Sequence, residues 1–583
     1  MVNQKLIYIL FLIIVLYSID YKANGNEIYY PDEKAFVHTD REFYIAGEHV
    51  FFKLYIINGN SHKLSDISKI AYMILRNSAS VPVAKIRFKV EGGIAFGSFF
   101  LSDTLSSGHY QLTAFTNWMR NWGEESFFRK EIFVANRFDK ELHVLNAVPD
   151  LSAAQYNNTP RDVKENISMI VIPDKAEYNK REKINLSLKF PENTSGIAAD
   201  ISISVFEQVP GTDNRLSICN YLSKKSDDSI SKRLPDLQKL RFLPEMKGEI
   251  IQGRIIDRKT REAVANSCIF LSAKDSIVNL KYDYSDTNGL FRFLLNDYYD
   301  GKDLYFSIKD NPENNKLKIE PDDKFELIND FKPLKHQENS YLKDYILKCQ
   351  DIVSIQKVYN PASSMEIKKQ FKTINICPRI YYKPSYSVKP SDFLPLNDFV
   401  DISAEILPPQ LRIRKHNNIY TANMADENQH MFMEEKPVIF LDGVLIDEVS
   451  GIIHLGSDKV KRIEMVCTRY NYGEQLFPGI LAVFSNKGEI DHLEPLPGSL
   501  RLQLEPYQPY SVFINRTYLK ENLDYMPDFR QLLFWNPDVE ISKNNNQDLE
   551  FYASDHSGSY IIEVEGISKE GIPISAIAKI IVK

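Results

Sequence analysis

The chain has 583 residues, 43% hydrophobic and 26% charged, a globular composition too long for one core and sized for roughly four domains of about 150 residues each. A net charge of −7 and a pI near 6.0 argue against a nucleic-acid partner held through phosphate contacts. The 32 Tyr and 34 Phe against 3 Trp, with recurrent Val/Ile/Thr runs, point to a mainly β fold.

Residues 1–25 read as a cleavable secretory signal. A short basic start ending at Lys5 precedes the twelve apolar residues Leu6–Tyr17, and the small residues Ala23 and Gly25 follow. Twelve residues are too few for a bilayer core, which needs about 20. The alternative is an uncleaved anchor. No Cys follows the apolar stretch to carry a lipid, and no later segment approaches 18 apolar residues, so no transmembrane segment is expected after signal cleavage. The five cysteines, Cys219, Cys268, Cys349, Cys377 and Cys467, are scattered without a CxxC pair, which argues against a disulfide framework.

From 33 to 137 the chain is a run of short alternating segments: His49–Asn58, Ile70–Asn77, Val83–Val90, His109–Thr116 and Phe127–Ala135 each fit a half-buried strand, together a sandwich. The stretch 163–210 repeats the style. "VHTDREFYIAGEHVFFKLYI" followed by "GHYQLTAFTNWMRNWG" resembles the second macroglobulin-type (MG2-like) domain of the alpha-2-macroglobulin family, in the version found in large exported proteins of Gram-negative bacteria. Its recurring pattern is Tyr44, Gly47, Glu48 and the long strand Val50–Ile56, and Asp174, Tyr178, Arg181, Glu182 and Leu186 look like a second copy. Residues 248–310, with Gly253–Asp257, Val264–Asn266 and Asp286–Phe293, resemble the carboxypeptidase regulatory-like domain, a small sandwich that carries no catalytic residues of its own. Residues 311–394 are polar and aperiodic, an uncertain linker region. Within it Ser340–Tyr359 fits a helix or a broken strand pair, and Pro384, Pro390 and Pro395 interrupt any continuous element.

Residues 395–490 resemble the plug domain of TonB-dependent outer-membrane receptors. The match rests on a short helix in Pro395–Pro408, an apolar strand ending at Asp442-Gly443-Val444, the segment Val460–Val466, and a final strand after Gly479. By that resemblance Asp442, Gly443, Tyr472, Gly473 and Gly479 are turn residues. The receptor's barrel is not expected in 490–583, which lacks long alternating lipid-facing strands; 497–583 reads instead as a C-terminal β-sandwich. The fold class expected is therefore mainly β, a multidomain chain of immunoglobulin-like or macroglobulin-type sandwiches with a small α+β plug-like domain.

Chemistry is sparse. Gly473-Glu474-Gln475 has the tail of the Cys-Gly-Glu-Gln thioester, but Tyr472 stands where the thiol must be and a phenol cannot replace it. There is no His-Glu-x-x-His, no Gly-x-Ser-x-Gly and no phosphate loop. Asp555-His556-Ser557 holds three triad residue types in a contiguous run that reads as a hairpin turn. Asp286, Asn288 and Gly289 resemble part of a calcium loop, but Tyr284 and Leu295 occupy two ligand places, and Asn-Gly before a strand is a hairpin signal. Trp118, Arg120 and Trp122 form a candidate interaction surface, with strand-end packing as the alternative. These features lead to a non-enzymatic exported protein with no cofactor and no metal, binding a protein or peptide partner at the periplasmic or outer-membrane face. One alternative is an accessory of a TonB-dependent outer-membrane barrel transporter; a lower one is a macroglobulin-like protease-binding protein without a thioester.

Overall fold

The computed structural model describes residues 32–136, 138–139, 167–191, 197–209, 215–223, 240–309, 316–332, 345–352, 355, 365–367, 379–417, 419–494, 498–518, 527–541 and 547–583. The expected signal segment 1–25 lies outside them, as do most of 311–378. The fold is mainly β.

The first sandwich pairs a three-stranded sheet (Glu33–Thr39, His49–Asn58, Ile94–Phe100) with a five-stranded one (Phe43–Ile45, Phe128–Ala135, Gly108–Phe115, Ile70–Arg76, Pro82–Lys89). Val50, Phe52, Leu54 and Ile56 share the core of this sandwich with Ala71, Met73, Leu75, Leu112 and Ile132, which lie on one face of the five-stranded sheet. Half-buried strands are expected here, yet His49–Asn58 is buried through its middle and Ile70–Arg76 along its whole length. The outer faces of both sheets are covered by other parts of the chain. Phe51 meets Phe206, Trp535 and Ile561, and Lys53, with no exposure, pairs with Asp200.

The second sandwich is built from two distant stretches: strands of 163–210 and the last four strands of 497–583, stretches the sequence reads as two sandwiches, make up its sheets together. Ala199–Glu207 lies between Leu532–Ile541 and Gly558–Ser568, in register from Ala199↔Ser568 to Glu207↔Tyr560, and Lys183–Lys189 pairs with Gln547–Tyr552 in the facing sheet. Ile184, Leu186, Ile201, Ile203 and Val205 share a core with Leu533, Phe551, Ile562, Val564 and Ile580. Neither segment has enough strands to close a core alone. Residues 215–518 are thus an insertion within this sandwich.

Both sandwiches open on the same turn. Asp40 accepts from Tyr44 Oη (2.8 Å) and Phe51 N (2.9 Å); Asp174, at matching spacing, accepts from Tyr178 Oη (2.6 Å) and Asn185 N (3.0 Å). Glu48 accepts from Ile45 N and Glu182 from Asn179 N, at 2.8 and 2.7 Å. The turn needs a positive φ just before the Glu, supplied by Gly47 (92°) in one copy and by Arg181 (60°) in the other. The bidentate pair from Arg181 to Asp555, both bonds 2.6 Å, offsets the cost of that conformation.

The third sandwich, in the region expected at 248–310, sets Glu249–Asp257, Leu290–Leu295 and Leu317–Pro321 against Lys281–Tyr284, Cys268–Ala273, Asp303–Ile308 and Ser499–Gln503. Its last strand, Ser499–Gln503, comes from beyond residue 490. Asp286 Oδ1 accepts from Asn288 N (2.8 Å) and Leu290 N (2.9 Å) across a turn with Gly289 at φ 72°, so the calcium-like run is a hairpin. The fourth unit, within 386–492, is a five-stranded mixed sheet ordered Tyr386–Val388, Val460–Val466, Ile480–Ser485, Val438–Leu441, Val444–Ile446. Helix Phe399–Glu405, capped by Asp398 on Asp401 N (2.8 Å), packs on it, as does the hairpin Leu411–His416/Ile419–Asp426. In the expected linker region, residues 345–352 are helical, with Tyr345, Ile346 and Cys349 buried against Phe43, Ile45 and Val209.

Two buried ionic seams lock these units. Between the first and third sandwiches, Lys324 Nζ reaches Tyr72 Oη, Glu245 (2.8 Å) and Glu249 (3.3 Å), while Arg87 pairs with Glu249 and with Asp300 (3.0 Å) under the Tyr507 ring. Between the first and second, His38 Nδ1 meets Ser202 Oγ (2.7 Å), Tyr55 Oη donates to Glu565 O (3.0 Å), and Arg215 pairs with Glu563 (2.9 Å). Against the cost of burial, His38 and Arg215 hold the Glu563 carboxyl at about 2. A carboxyl depressed in the folded state contributes stability above its ordinary value near 4.5 and loses it as pH falls toward 2. Glu563→Gln is therefore expected to flatten the acid limb between pH 4.5 and 2 and, by leaving Arg215 buried and unpaired, to lower stability at pH 7 by about 3 kcal/mol, read from urea unfolding at several pH values.

Candidate functional site

The turn residues singled out in the sequence dock the fourth unit onto the third sandwich. Asp442 (φ 50°) and Gly443 (φ 82°) form the two-residue turn between Val438–Leu441 and Val444–Ile446. Asp442, 5% exposed, accepts from Ser485 N (2.6 Å), Ser485 Oγ (2.8 Å) and Ile490 N (3.2 Å), while its carbonyl accepts from Asp275 N (2.8 Å). A Cβ at Gly443 would stand 2.6 Å from Ile277 O. Tyr472 and Gly473 close the hairpin Tyr470–Tyr472/Gln475–Phe477: Tyr472 Oη donates to Leu280 O (2.5 Å), Glu474 N donates to Tyr282 Oη (2.9 Å), and Gly473 has φ 60°. Gln475 lies in this joint. Its oxygen accepts from Lys309 Nζ and its nitrogen donates to Tyr284 Oη, both at 2.7 Å. Cys467 is buried in the fourth unit, its thiol pushed up to about 11 by burial, and its amide donates to Ser385 Oγ (3.2 Å). Gly479 (φ 126°) leads into Ile480–Ser485, where a Cβ would meet Met424 Sδ at 2.7 Å.

Trp118, Arg120 and Trp122 stand at another joint. The Trp rings meet edge to face at 5.1 Å, with Trp118 buried and Trp122 half-buried. Arg120 pairs with Asp322 (2.7 Å) and lies 3.9 Å from the Phe242 ring centre, and Asn117 and Asn121 hold the carbonyls of Leu243 and Phe242. Their contacts are therefore with this chain's own approach to the third sandwich.

The contiguous run Asp555-His556-Ser557 disperses. Asp555 takes Arg181, and His556 Nε2 lies 2.7 Å from Glu207 in a buried cluster with Tyr345, Gln531 and Cys349. Burial pushes the Cys349 thiol up to about 12, so it is held protonated and unreactive at neutral pH. Tyr560 Oη donates to His556 O (3.0 Å), which makes this stretch a strand corner. The four described cysteines are unbridged, and Cys377 lies outside the described residues.

What the sequence did not disclose is a cleft of about 250 Å³ between the third sandwich and the fourth unit. Its walls are Tyr305, Phe306 and Leu500 on one side and Leu445, Ile446 and Leu493 on the other. Val444–Ile446 and Ser499–Gln503, the outermost strands of their sheets, both border it. Asp447, Glu448 and Glu494 give the lining an acidic edge, and Ser450 Oγ donates to Glu448 (2.8 Å). Tyr305 Oη donates to Asp491 (3.4 Å), and burial pushes this phenol up to about 12. The volume suits one large side chain and falls short of the 300 Å³ or so typical of a drug-sized ligand site. The cleft is assembled from segments about 50 to 200 residues apart, so no local motif could announce it; the one signal present is Asp447-Glu448 directly after an apolar edge strand.

No family profile and no curated protein sequence matches the chain. Among solved structures, alpha-2-macroglobulin from Salmonella, reacted with methylamine, is similar over 94% of this chain and 39% of its own, at 9% identity and TM-score 0.23. Trypsin-activated alpha-2-macroglobulin from Escherichia coli gives 8% identity, TM-score 0.23 and coverages of 94% and 41%. The native Escherichia coli protein gives 9%, 0.24, 97% and 40%. The chain thus spans about two fifths of the length of those proteins, and at such TM-scores the likeness says nothing of activity or partner. Among the described residues no helix is long and apolar enough to cross a membrane.

The Asp442 turn is the part of the joint most exposed to mutation. Asp442→Ala removes three buried hydrogen bonds and a residue that tolerates positive φ, and is expected to cost about 2–4 kcal/mol in urea unfolding, with Asp442→Asn costing less.

Proposed function

We propose that the protein is a non-enzymatic, exported, multidomain binding protein whose partner, a protein or peptide at the periplasmic or outer-membrane face, anchors one apolar side chain in the cleft between the third sandwich and the fourth unit. The observation that carries this reading is the cleft itself: apolar walls, an acidic edge and an outermost strand on each side. An extended peptide lying along such a strand gains main-chain hydrogen bonds, while a pocket beside it selects a side chain. The secretory reading of residues 1–25 and the resemblance of 33–137 to exported macroglobulin-type domains supply the compartment. A role as accessory to a TonB-dependent transporter is supported less well, because Asp442, Gly443, Tyr472 and Gly473 are engaged with the third sandwich and not presented to another chain.

Ser450 is exposed at the cleft, so Ser450→Trp fills it from the surface without entering a core. Loss of one buried anchor costs about 2 kcal/mol or more of binding, at least tenfold in affinity. The wild-type chain, crosslinked mildly in its native envelope and purified, is expected to yield a stoichiometric partner that Ser450→Trp loses at unchanged thermal stability. Equal recovery with both chains would refute the cleft as the site.

A further inference from the structure

We infer that the hairpin Leu411–His416/Ile419–Asp426 is a docking element for an anionic membrane surface, on grounds separate from the cleft. The two strands pair from Leu411↔Met424 to His416↔Ile419. One face, carrying Leu411, Ile413, Ala422 and Met424, is buried in the core of the fourth unit. The other presents Arg412, Arg414 and His416 opposite Asn423, Thr421 and Ile419; Lys415, paired with Tyr420, follows Leu411 and Ile413 on the first face and emerges into solvent at the hairpin end. All four basic residues are exposed, in a chain whose net charge is −7.

These cations are not spent on internal ion pairs. Among the described residues Arg412, Arg414 and Lys415 pair with no carboxylate, and Asp401 and Glu405 on the adjoining helix form no bridge to them. Arg412 lies over the Phe432 ring at 4.2 Å and Lys415 over Tyr420 at 5.1 Å, contacts that spread the guanidinium and ammonium along the hairpin and leave their outer sides to solvent. At the free end Ile419 is 65% exposed, beside Tyr420. An exposed aliphatic residue gains nothing from a soluble phosphate or polyanion. It gains from entering the boundary between headgroups and acyl chains, where an aromatic neighbour and flanking Lys and Arg also belong. Each basic residue at a negatively charged leaflet adds attraction that fades within a Debye length, so the contact is reversible and salt-sensitive. A chain held this way would carry the cleft at a membrane face without spanning it.

Vesicle sedimentation with the full chain tests this. Vesicles of phosphatidylcholine with about 30% phosphatidylglycerol are expected to bind the protein at least tenfold better than phosphatidylcholine alone, with loss of binding as salt rises. Arg412→Ser/Arg414→Ser/Lys415→Ser together should lower partition about a hundredfold, and Ile419→Ser alone about fivefold, at unchanged thermal midpoints. Equal binding to neutral and anionic vesicles, equal binding by the triple variant, or retention on heparin with no sedimentation on vesicles would overturn the proposal. Loss of envelope crosslinking by Ser450→Trp with vesicle binding intact would separate the two sites.

Discussion

The rest of the structure depends on one strand pairing, that of Ala199–Glu207 with Gly558–Ser568. It joins residues more than 300 positions apart and places everything from 215 to 518 inside a closed loop. Closure of so long a loop costs only slightly more than closure of a shorter one, since the entropic penalty grows with the logarithm of length. The return is large: with Leu532–Ile541 on the other side of Ala199–Glu207, the pairing completes a core that neither chain end can build. A protein arranged this way cannot shed its last strands without opening its second sandwich.

The loop is then drawn tight by polar groups buried where cores usually hold aliphatic ones. Lys53, Asp200, His38, Ser202 and Glu563 lie between the first two sandwiches, and Lys324, Glu245, Glu249 and Arg87 between the first and third. Buried ion pairs add little net stability over apolar packing, but each is satisfied in one geometry only, so they set the relative placement of sandwiches whose apolar faces alone would tolerate sliding. The cleft follows from that placement. One wall comes from the sheet of the third sandwich, the other from the edge of the fourth unit's sheet, and Asp442-Gly443 and Tyr472-Gly473 hold the two together.

The sequence disclosed local structure better than assembly. The alternating runs at His109–Thr116 and Phe127–Ala135 became strands within a residue or so of where the pattern put them, and the Tyr44/Glu48 and Tyr178/Glu182 repeats became the same turn. Ile94–Phe100 escaped notice because Gly97 interrupts its pattern; a Cβ there would stand 3.3 Å from Pro509 O, so the glycine serves the close approach of a segment 400 residues away. The same cause hid the shared sandwich. Leu532–Ile541 and Lys183–Lys189 each read as ordinary strands, and nothing in a strand names its partner. The turn residues of the fourth unit were reached through a family resemblance; Asp442, Gly443, Gly473 and Gly479 do carry the positive φ that Asp and Gly tolerate. That they serve an internal joint is a property of what they face, Tyr282 and Ile277, and that was not legible. The basic hairpin was open to reading in "RIRKH", but only its pairing shows Arg412 and Arg414 on the same outward face.

Hydrogen exchange under native conditions, read by mass spectrometry, tests the shared sandwich most directly. If the two chain ends form one cooperative unit, the amides of Ala199–Glu207, Leu532–Ile541 and Gly558–Ser568 exchange through a common opening with one free energy, and denaturant shifts them together. Protection of Ala199–Glu207 that persists with the first sandwich while 532–582 opens on its own would show that the ends fold apart and would contradict the account.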